Sequence, residues 1–250
     1  MKKIIAVIVA GGLGTRLRPL TNSIPKPMIK IADKPILEHV INLFKKNGIN
    51  KFVIALCYLP ETVVNYFGDG SSFGVSISYT FENTNNPLGT AGAILPTKNS
   101  VSDNFIVTYA DTIRKLDILE MIKFHKKSKS LATINTYKHK GKNHKSTLHF
   151  DKNNKLTKFE ENKNSENLKS DFVWSNGSFY IFSKEIFKYI PKNKKVDFST
   201  DIFPKLLSLN KKISVFPSND YFIDIGTKET LKKVEQDNDS KKKKIIGLTV

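Results

Sequence analysis

Seven consecutive apolar residues, 4–10, run directly into a glycine-rich segment near the start of this 250-residue chain. An uninterrupted run of this length is typical of a strand that is buried on both faces of a parallel sheet. It is too short to cross a bilayer, which takes roughly 18 or more apolar residues. It also ends in glycines and then charges, without the cleavage site of a signal peptide. The sequence therefore predicts a buried first strand followed by a glycine-rich loop.

Apolar runs and helical spacings then alternate along the first half of the chain. This alternation is typical of a doubly wound α/β sheet. The predicted strands are 52–57, 75–79 and 105–109, and the predicted helices are 36–47, 61–67, 90–95 and 117–128.

Strand patterns dominate the second half, which lies beyond residue 130. Polar, Lys/Asn-rich loops are predicted at 138–145 and 162–169, and the charged stretch 237–244 predicts a poorly ordered tail. The predicted strands are 131–137, 147–150, 156–159, 172–182, 212–216 and 221–225, and the predicted helices are 183–190 and 199–209. The expected fold class is α/β, with a doubly wound, mixed, mainly parallel sheet of the Rossmann-like type and a smaller β-rich part.

The formal net charge of +18 raises the question of a nucleic-acid partner. Almost all the basic residues are lysines scattered along the chain, whereas interfaces that read bases favour arginine. Two of the three arginines, Arg16 and Arg18, flank the glycine-rich loop instead. We therefore expect no nucleic-acid partner and no membrane association. The single Cys57 excludes an intrachain disulfide, fits a reducing cytoplasm and is expected to be a packing residue.

The loop Gly11–Arg16 follows the first strand and can present backbone N–H groups to phosphate oxygens. It is not a Walker A loop, because no Gly-Lys-Ser/Thr closes it. It is not the dinucleotide fingerprint either, since Leu17 stands where the third glycine would be. By itself the loop indicates only that a phosphate could bind.

Residues 11–21 (GGLGTRLRPLT) and 25–28 (PKPM) closely resemble the signature of the sugar nucleotidyltransferase, or NDP-sugar pyrophosphorylase, family, and the resemblance extends to about Leu231. It implies a fold of the GT-A-like nucleotidyltransferase type and a loop that holds a nucleoside triphosphate through Ala10, Gly11, Gly12, Gly14 and Thr15. Arg16 and Lys26 match the basic catalytic residues that offset phosphate charge during nucleotidyl transfer.

Two carboxylates match the positions that hold Mg²⁺ in this family. Asp111 follows a predicted strand in the segment YAD, where the family has Gly-Asp, and Asp224 begins the segment DIGT. A hard dication takes oxygen ligands, commonly one or two carboxylates together with substrate phosphates and water. The resemblance therefore implies a magnesium site at Asp111 and Asp224.

Residues 87–93 (PLGTAGA) resemble the base-binding segment of the family, with Gly89 and Thr90 as nucleotide-binding residues. This form is common among mannose-1-phosphate and heptose-1-phosphate guanylyltransferases and favours GTP. It also occurs in other members.

The sugar side departs from the family pattern. Glu161 and Asn176 match ligands of sugar hydroxyls, although Glu161 also suits a plain surface carboxylate. Asn162 stands where a lysine usually contacts the sugar phosphate. Either Lys163 replaces that lysine through a shifted register, or phosphate binding differs.

The resemblance implies one nucleotidyltransferase domain over residues 1–238, followed by a Lys-rich tail, 239–250. Residues up to about 112 are expected to bind the nucleotide, and residues from about 113 to bind the sugar and complete the metal site. The implied reaction joins an NTP to a sugar 1-phosphate, giving an NDP-sugar and pyrophosphate, in an enzyme of class 2.7.7. GTP with mannose 1-phosphate or a related sugar is the first choice, and UTP or dTTP with glucose 1-phosphate is next.

Two further alternatives stay open from the sequence. A non-catalytic, nucleotide-sensing homologue should lose the charged site residues, which are present here, and a nucleic-acid-binding protein should bind DNA or RNA in a salt-sensitive way. Dimers or tetramers are usual for the resemblance, and the sequence leaves the oligomeric state open.

Overall fold

The computed structural model describes residues 4–140, 146–161 and 172–239. Within them the strands, in chain order, are β1 (Ala6–Ala10), β2 (Lys30–Ile31), β3 (Lys34–Pro35), β4 (Lys51–Leu56), β5 (Ser76–Phe81), β6 (Asn104–Tyr109), β7 (Thr112–Arg114), β8 (Ala132–Lys140), β9 (Ser146–Phe150), β10 (Leu156–Glu161), β11 (Phe172–Ser183), β12 (Ile213–Ser218) and β13 (Phe222–Asp224). The α-helices are α1 (Ile36–Lys46), α2 (Pro60–Phe67), α3 (Gly89–Gly92), α4 (Ile118–Ser128), α5 (Phe203–Ser208) and α6 (Lys228–Asp239).

The central sheet of this described part has seven strands in the order β12-β8-β11-β6-β1-β4-β5. β4 pairs in parallel with both β1 and β5, and β12 pairs in parallel with β8. β11 pairs antiparallel with β8, so the sheet is mixed. The prediction of a doubly wound α/β fold with a mixed, mainly parallel sheet is confirmed.

The chain forms two compact units. The first comprises, of the described residues, 4–87, 108–117 and 220–239. Its β1 is buried along most of its length, as the apolar run predicts. One of its core clusters joins residues from all three segments, namely Leu17, Ile29, Ile31, Ile36, Ile113, Ile223, Ile225 and Val234.

The second unit comprises the described residues of 88–107 and 118–219. It contains β8 to β12 and the helices α3, α4 and α5. Aromatic rings fill part of its core. Tyr180, Phe182, Phe198 and Phe203 are fully buried, and their ring centroids lie 5.0 to 6.4 Å apart.

Each unit is assembled from separate segments of the chain. Some local predictions were wrong. β8 continues to Lys140, where a loop was expected, and α6 extends to Asp239 into the stretch expected to be poorly ordered. A 3-10 helix, Lys184–Lys188, replaces the longer helix predicted there. The predictions for 141–145, 162–169 and the tail beyond 239 lie outside the described residues.

Among the helices of the described residues, none combines the length and the apolar character that crossing a bilayer requires.

Candidate active site

The glycine-rich loop leaves the end of β1 and turns sharply at Gly14. Gly14 has a φ of +63°, a left-handed conformation that favours glycine. Its carbonyl oxygen accepts hydrogen bonds from the Leu17 amide at 2.9 Å and the Thr21 hydroxyl at 2.8 Å. Leu17 is buried, whereas Thr15 and Arg16 are exposed. The loop is therefore anchored on one side and open on the other.

Lys26 lies in a short 3-10 helix, Lys26–Met28, and is buried. Its Nζ lies 2.5 Å from Oδ2 of Asp111 and 3.9 Å from Oδ1 of Asp224. The structure thus brings three of the predicted site residues together in the first unit.

A two-stranded antiparallel ribbon carries the two carboxylates. β7 and β13 pair so that Asp224 lies opposite Thr112, and the Ile225 amide donates to the Asp111 carbonyl oxygen at 2.9 Å. Asp111 therefore precedes one strand of the ribbon while Asp224 ends the other. The backbone pairing fixes their spacing.

Arg16 approaches the same ribbon at Gly226. A Cβ placed on Gly226 would lie 2.9 Å from Arg16 Nη2 and 3.0 Å from Asp224 Oδ1. The guanidinium and the carboxylate thus face the same side of Gly226. Two cationic and two anionic side chains are assembled beside the glycine-rich loop.

The two carboxylates are the groups that could hold a hard divalent cation. Oδ1 of Asp111 is buried and has no hydrogen-bond partner among the described residues. The same part of the chain contains no group of three or more His, Cys, Asp and Glu side chains suited to a metal. Such a pair fits a cation that completes its shell with phosphate and water oxygens, rather than a structural metal with only protein ligands.

The predicted base-binding residues belong to the second unit. Gly89 has a φ of +77°, and a Cβ there would lie 2.6 Å from the Val196 carbonyl oxygen. The Thr90 amide and hydroxyl both donate to Asp197 Oδ1 at 2.9 Å, and the hydroxyl oxygen accepts from the Phe198 amide at 3.1 Å. Packing within the second unit therefore already accounts for a glycine at this position.

Glu161 and Asn176 both neighbour Ser146 of β9. Glu161 pairs with Ser146 across the β9–β10 ribbon, and the backbone N–H of Asn176 donates to the Ser146 hydroxyl at 3.0 Å. Ser178 has a φ of +53°, a left-handed conformation that favours glycine. Lys163 lies outside the described residues.

Residues 5–241 match the profile of the nucleotidyl transferase family. The chain belongs to this family. A UTP–glucose-1-phosphate uridylyltransferase from Synechocystis sp. is 32% identical over 88% of this chain, which spans 60% of that protein's length. A D-glycero-alpha-D-manno-heptose 1-phosphate guanylyltransferase from Campylobacter jejuni is 33% identical, over 90% of this chain and 95% of that protein. The solved structure of HddC from Yersinia pseudotuberculosis complexed with GMP-PN matches with a TM-score of 0.79 and 28% identity, over 93% of this chain and 98% of that one.

Glu82 is a further residue beside the glycine-rich loop of this nucleotidyl transferase, and no sequence motif indicates it. A Cβ on Gly11 would lie 3.2 Å from Glu82 Oε1, so a carboxylate stands directly beside the glycine-rich loop. The only local signal is that Glu82 immediately follows β5, and nothing in the loop motif points to it. Its proximity to Gly11 results from the parallel pairing of β1, β4 and β5.

Cys57 is a packing residue in this site, as predicted. It is buried, and burial first, then the Glu82 carboxylate, raises the pKa of its thiol. A raised pKa keeps the sulfur protonated near neutral pH, which disfavours a nucleophilic role.

Proposed function

We propose that this nucleotidyl transferase joins a nucleoside triphosphate to a sugar 1-phosphate, releasing an NDP-sugar and pyrophosphate. The observation that carries the proposal is the placement of the Lys26 ammonium within 4 Å of both Asp111 and Asp224. These groups belong to the first unit, which also carries the glycine-rich loop. Family membership and the names of the relatives support the same reaction class.

Asp111 and Asp224 are the residues that would hold Mg²⁺. Two carboxylates, one with a buried oxygen that lacks a hydrogen-bond partner among the described residues, suit a cation that prefers oxygen ligands. Bound there, Mg²⁺ would offset phosphate charge and help orient the triphosphate.

The chain's own groups bind the reactants and balance charge. Backbone N–H groups of the loop, from Ala10 to Thr15, bind the phosphates, and Lys26 and Arg16 stabilise charge that moves onto the leaving group. An oxygen of the sugar phosphate forms the new bond to the α-phosphorus, and the bond from that phosphorus to pyrophosphate breaks. The attacking oxygen is already ionised near neutral pH, so the step needs no general base.

Glu82 favours a guanine base. A carboxylate accepts hydrogen bonds and donates none, so it complements an edge that carries adjacent donors. Guanine presents N1–H and an amino group side by side, whereas uracil and thymine present one N–H between two carbonyls. GTP is therefore the proposed nucleotide, and UTP or dTTP with glucose 1-phosphate is the alternative, which the uridylyltransferase relative supports.

Mannose 1-phosphate or a related sugar, such as a heptose, is the proposed acceptor. Gly89 and Thr90 are assigned to the nucleotide, and Glu161 and Asn176 to sugar hydroxyls, through the resemblance of their segments. The guanylyltransferase relative from Campylobacter jejuni acts, by its name, on a heptose 1-phosphate. We place the enzyme in the cytoplasm as a homo-oligomer that binds no nucleic acid.

Pyrophosphate release tests the reaction. The purified chain is assayed with GTP, UTP, dTTP, CTP and ATP against mannose, heptose and glucose 1-phosphates, with Mg²⁺ and with EDTA. We expect Mg²⁺-dependent release that is highest with GTP, and absence of release with every pair in a folded protein would refute the proposal.

Asp111→Asn separates an enzyme from a nucleotide-sensing homologue. The substitution removes a negative charge but keeps the size of the side chain, so we expect turnover to fall by about 10²-fold or more. A protein whose nucleotide affinity and function survived the change would instead support the sensor alternative.

A further inference from the structure

Gly226 occupies the turn between β13 and α6, two residues after Asp224. It is not among the described glycines with a positive φ, so its backbone has a conformation that other residues adopt readily. A glycine is therefore not needed here for backbone geometry. Another reason for it must lie in the space around its Cα.

That space is filled by two side chains of the proposed active site. A Cβ on Gly226 would lie 2.9 Å from Nη2 and 3.2 Å from Cζ of Arg16, and 3.0 Å from Oδ1 of Asp224. The 2.9 Å contact is shorter than a Cβ makes in folded proteins, and the other two are tighter than most such contacts, so a methyl group would displace its neighbours. The atoms that it meets are the ends of side chains, which can move without disturbing the backbone.

We propose that Gly226 is a positioning residue whose missing side chain holds the Arg16 guanidinium beside the Asp224 carboxylate. The inference rests on the proposed function, because that function assigns Arg16 to the charge on the leaving pyrophosphate. Arg16 is exposed in the short 3-10 helix Thr15–Leu17, and an exposed arginine loses rotamer freedom when it is held in one place. Because Gly226 has no side chain, the guanidinium can lie against its Cα and is restricted before substrate binds. Less conformational entropy of Arg16 is then lost when the phosphates bind.

Gly226→Ala tests the proposal. The variant is expected to fold, because the displaced atoms are side-chain ends, and to lose about 10- to 100-fold in kcat/KM for the nucleotide. Gly48→Ala is the matched control. Gly48 has a φ of +74°, and a Cβ added to it would have no other atom within 4 Å, so this change costs stability without reaching Arg16.

A double-mutant cycle with Arg16→Ala decides whether Gly226 acts through Arg16. In the Arg16→Ala background, Gly226→Ala is expected to change kcat/KM by less than about two-fold, because the side chain that it displaces is gone. An equal loss in both backgrounds would overturn the proposal. Mn²⁺ affinity, measured with a non-hydrolysable GTP analogue bound, distinguishes an effect through Arg16 from an effect through Asp224. It should stay within about two-fold of wild type, and a large loss would assign the effect to Asp224 instead.

The same cycle is measured on stability by urea unfolding, which needs no turnover. Gly226→Ala should destabilise the wild-type background more than the Arg16→Ala background, where the guanidinium that the methyl group would meet at 2.9 Å is gone. If Gly226→Ala does not fold, the double variant should, and failure of both would contradict the proposal. A wild-type chain without pyrophosphate release would refute the proposed function, while the stability cycle would still test the contact between Gly226 and Arg16.

Discussion

Lys26 is a buried cation whose chemical partners come from distant parts of the sequence. Its Nζ contacts Asp111, 85 residues away, and approaches Asp224. Burying charges costs free energy that the ion pair only partly returns, so such a cluster is weak evidence for stability. A function in phosphate chemistry is the better physical reason for placing these charges together.

Glu82→Gln is expected to alter the choice of nucleobase. The amide keeps the size of the side chain but replaces one acceptor oxygen with a donor, which no longer matches the two donors of guanine. We expect kcat/KM for GTP to fall by about 10²-fold, while the values for UTP and dTTP hold or rise. Pyrophosphate release with each nucleotide measures the change.

Glu161→Gln is the control for this prediction. It neutralises a carboxylate that is assigned to the sugar, so it should affect all nucleotides alike. An equal loss with GTP and UTP in Glu82→Gln would contradict a role for Glu82 in reading the base.

His125 makes the stability of the folded chain depend on pH. Burial, and then the charge of Lys126, lower the pKa of its imidazole from 6.5 to about 4. The unfolded chain therefore binds the proton more tightly, and the stabilisation is full above the unfolded pKa and lost as the pH falls towards 4. Between pH 7 and pH 5 this group accounts for a loss of about 2 kcal/mol in the free energy of unfolding.

The comparison of wild type with His125→Gln checks this contribution. Glutamine can still hydrogen-bond with Thr133 and Asn104, the partners of His125, but does not titrate. His39, whose pKa burial also lowers, stays in both proteins as a common background. We expect the variant to lose less stability between pH 7 and pH 5 in urea unfolding. Parallel losses would show that His125 is not the group responsible.

At the scale of elements, those with clear apolar periodicity follow from local pattern and those without it do not. β1, β4, α1 and α4 were predicted within about two residues, because apolar periodicity is a local signal. β7 has three residues and was not predicted, and only its pairing with β13 defines it. α6 was missed because its sequence is mostly charged, and its buried Val234 has meaning only once the first unit is assembled.

The short helix α3 provides a prediction at this scale. Gly89→Ala should destabilise the protein by more than about 2 kcal/mol, because the methyl group meets the Val196 backbone at 2.6 Å and φ is +77°. Gly48→Ala has nearly the same φ, +74°, with open space around it, and should cost only about 1 kcal/mol. Urea unfolding of both variants measures the difference. Equal losses of stability would mean that the backbone of the second unit can adjust around α3. The contact with Val196 would then not require a glycine at position 89.

At the scale of the whole molecule, the net charge of +18 is expected to attract the polyanionic substrate from a distance. Raising the ionic strength towards about 0.3 M should lower kcat/KM for the nucleotide while kcat changes little, because salt screens the encounter more than the bound state. Initial rates over a salt series measure both constants. The slope should be steeper for the nucleotide than for the less charged sugar phosphate, and equal slopes would argue against steering.

The sequence by itself determined the class of fold and the family to which the chain belongs. Apolar runs predict buried strands, and the segments around Gly11, Lys26, Asp111 and Asp224 resemble a family in which their roles are linked. These signals can be recognised in the sequence alone because each depends on only a few neighbouring residues.

Only the tertiary structure decided which groups meet. It placed Glu82 beside Gly11 and Gly226 beneath Arg16, and it built each unit from separate segments of the chain. It also brought Thr90 within hydrogen-bond distance of Asp197, a contact that no local sequence pattern predicts. A lone glutamate or glycine has no distinctive pattern of its own, and its role comes from groups that parallel strands and a two-stranded ribbon bring close across long stretches of sequence.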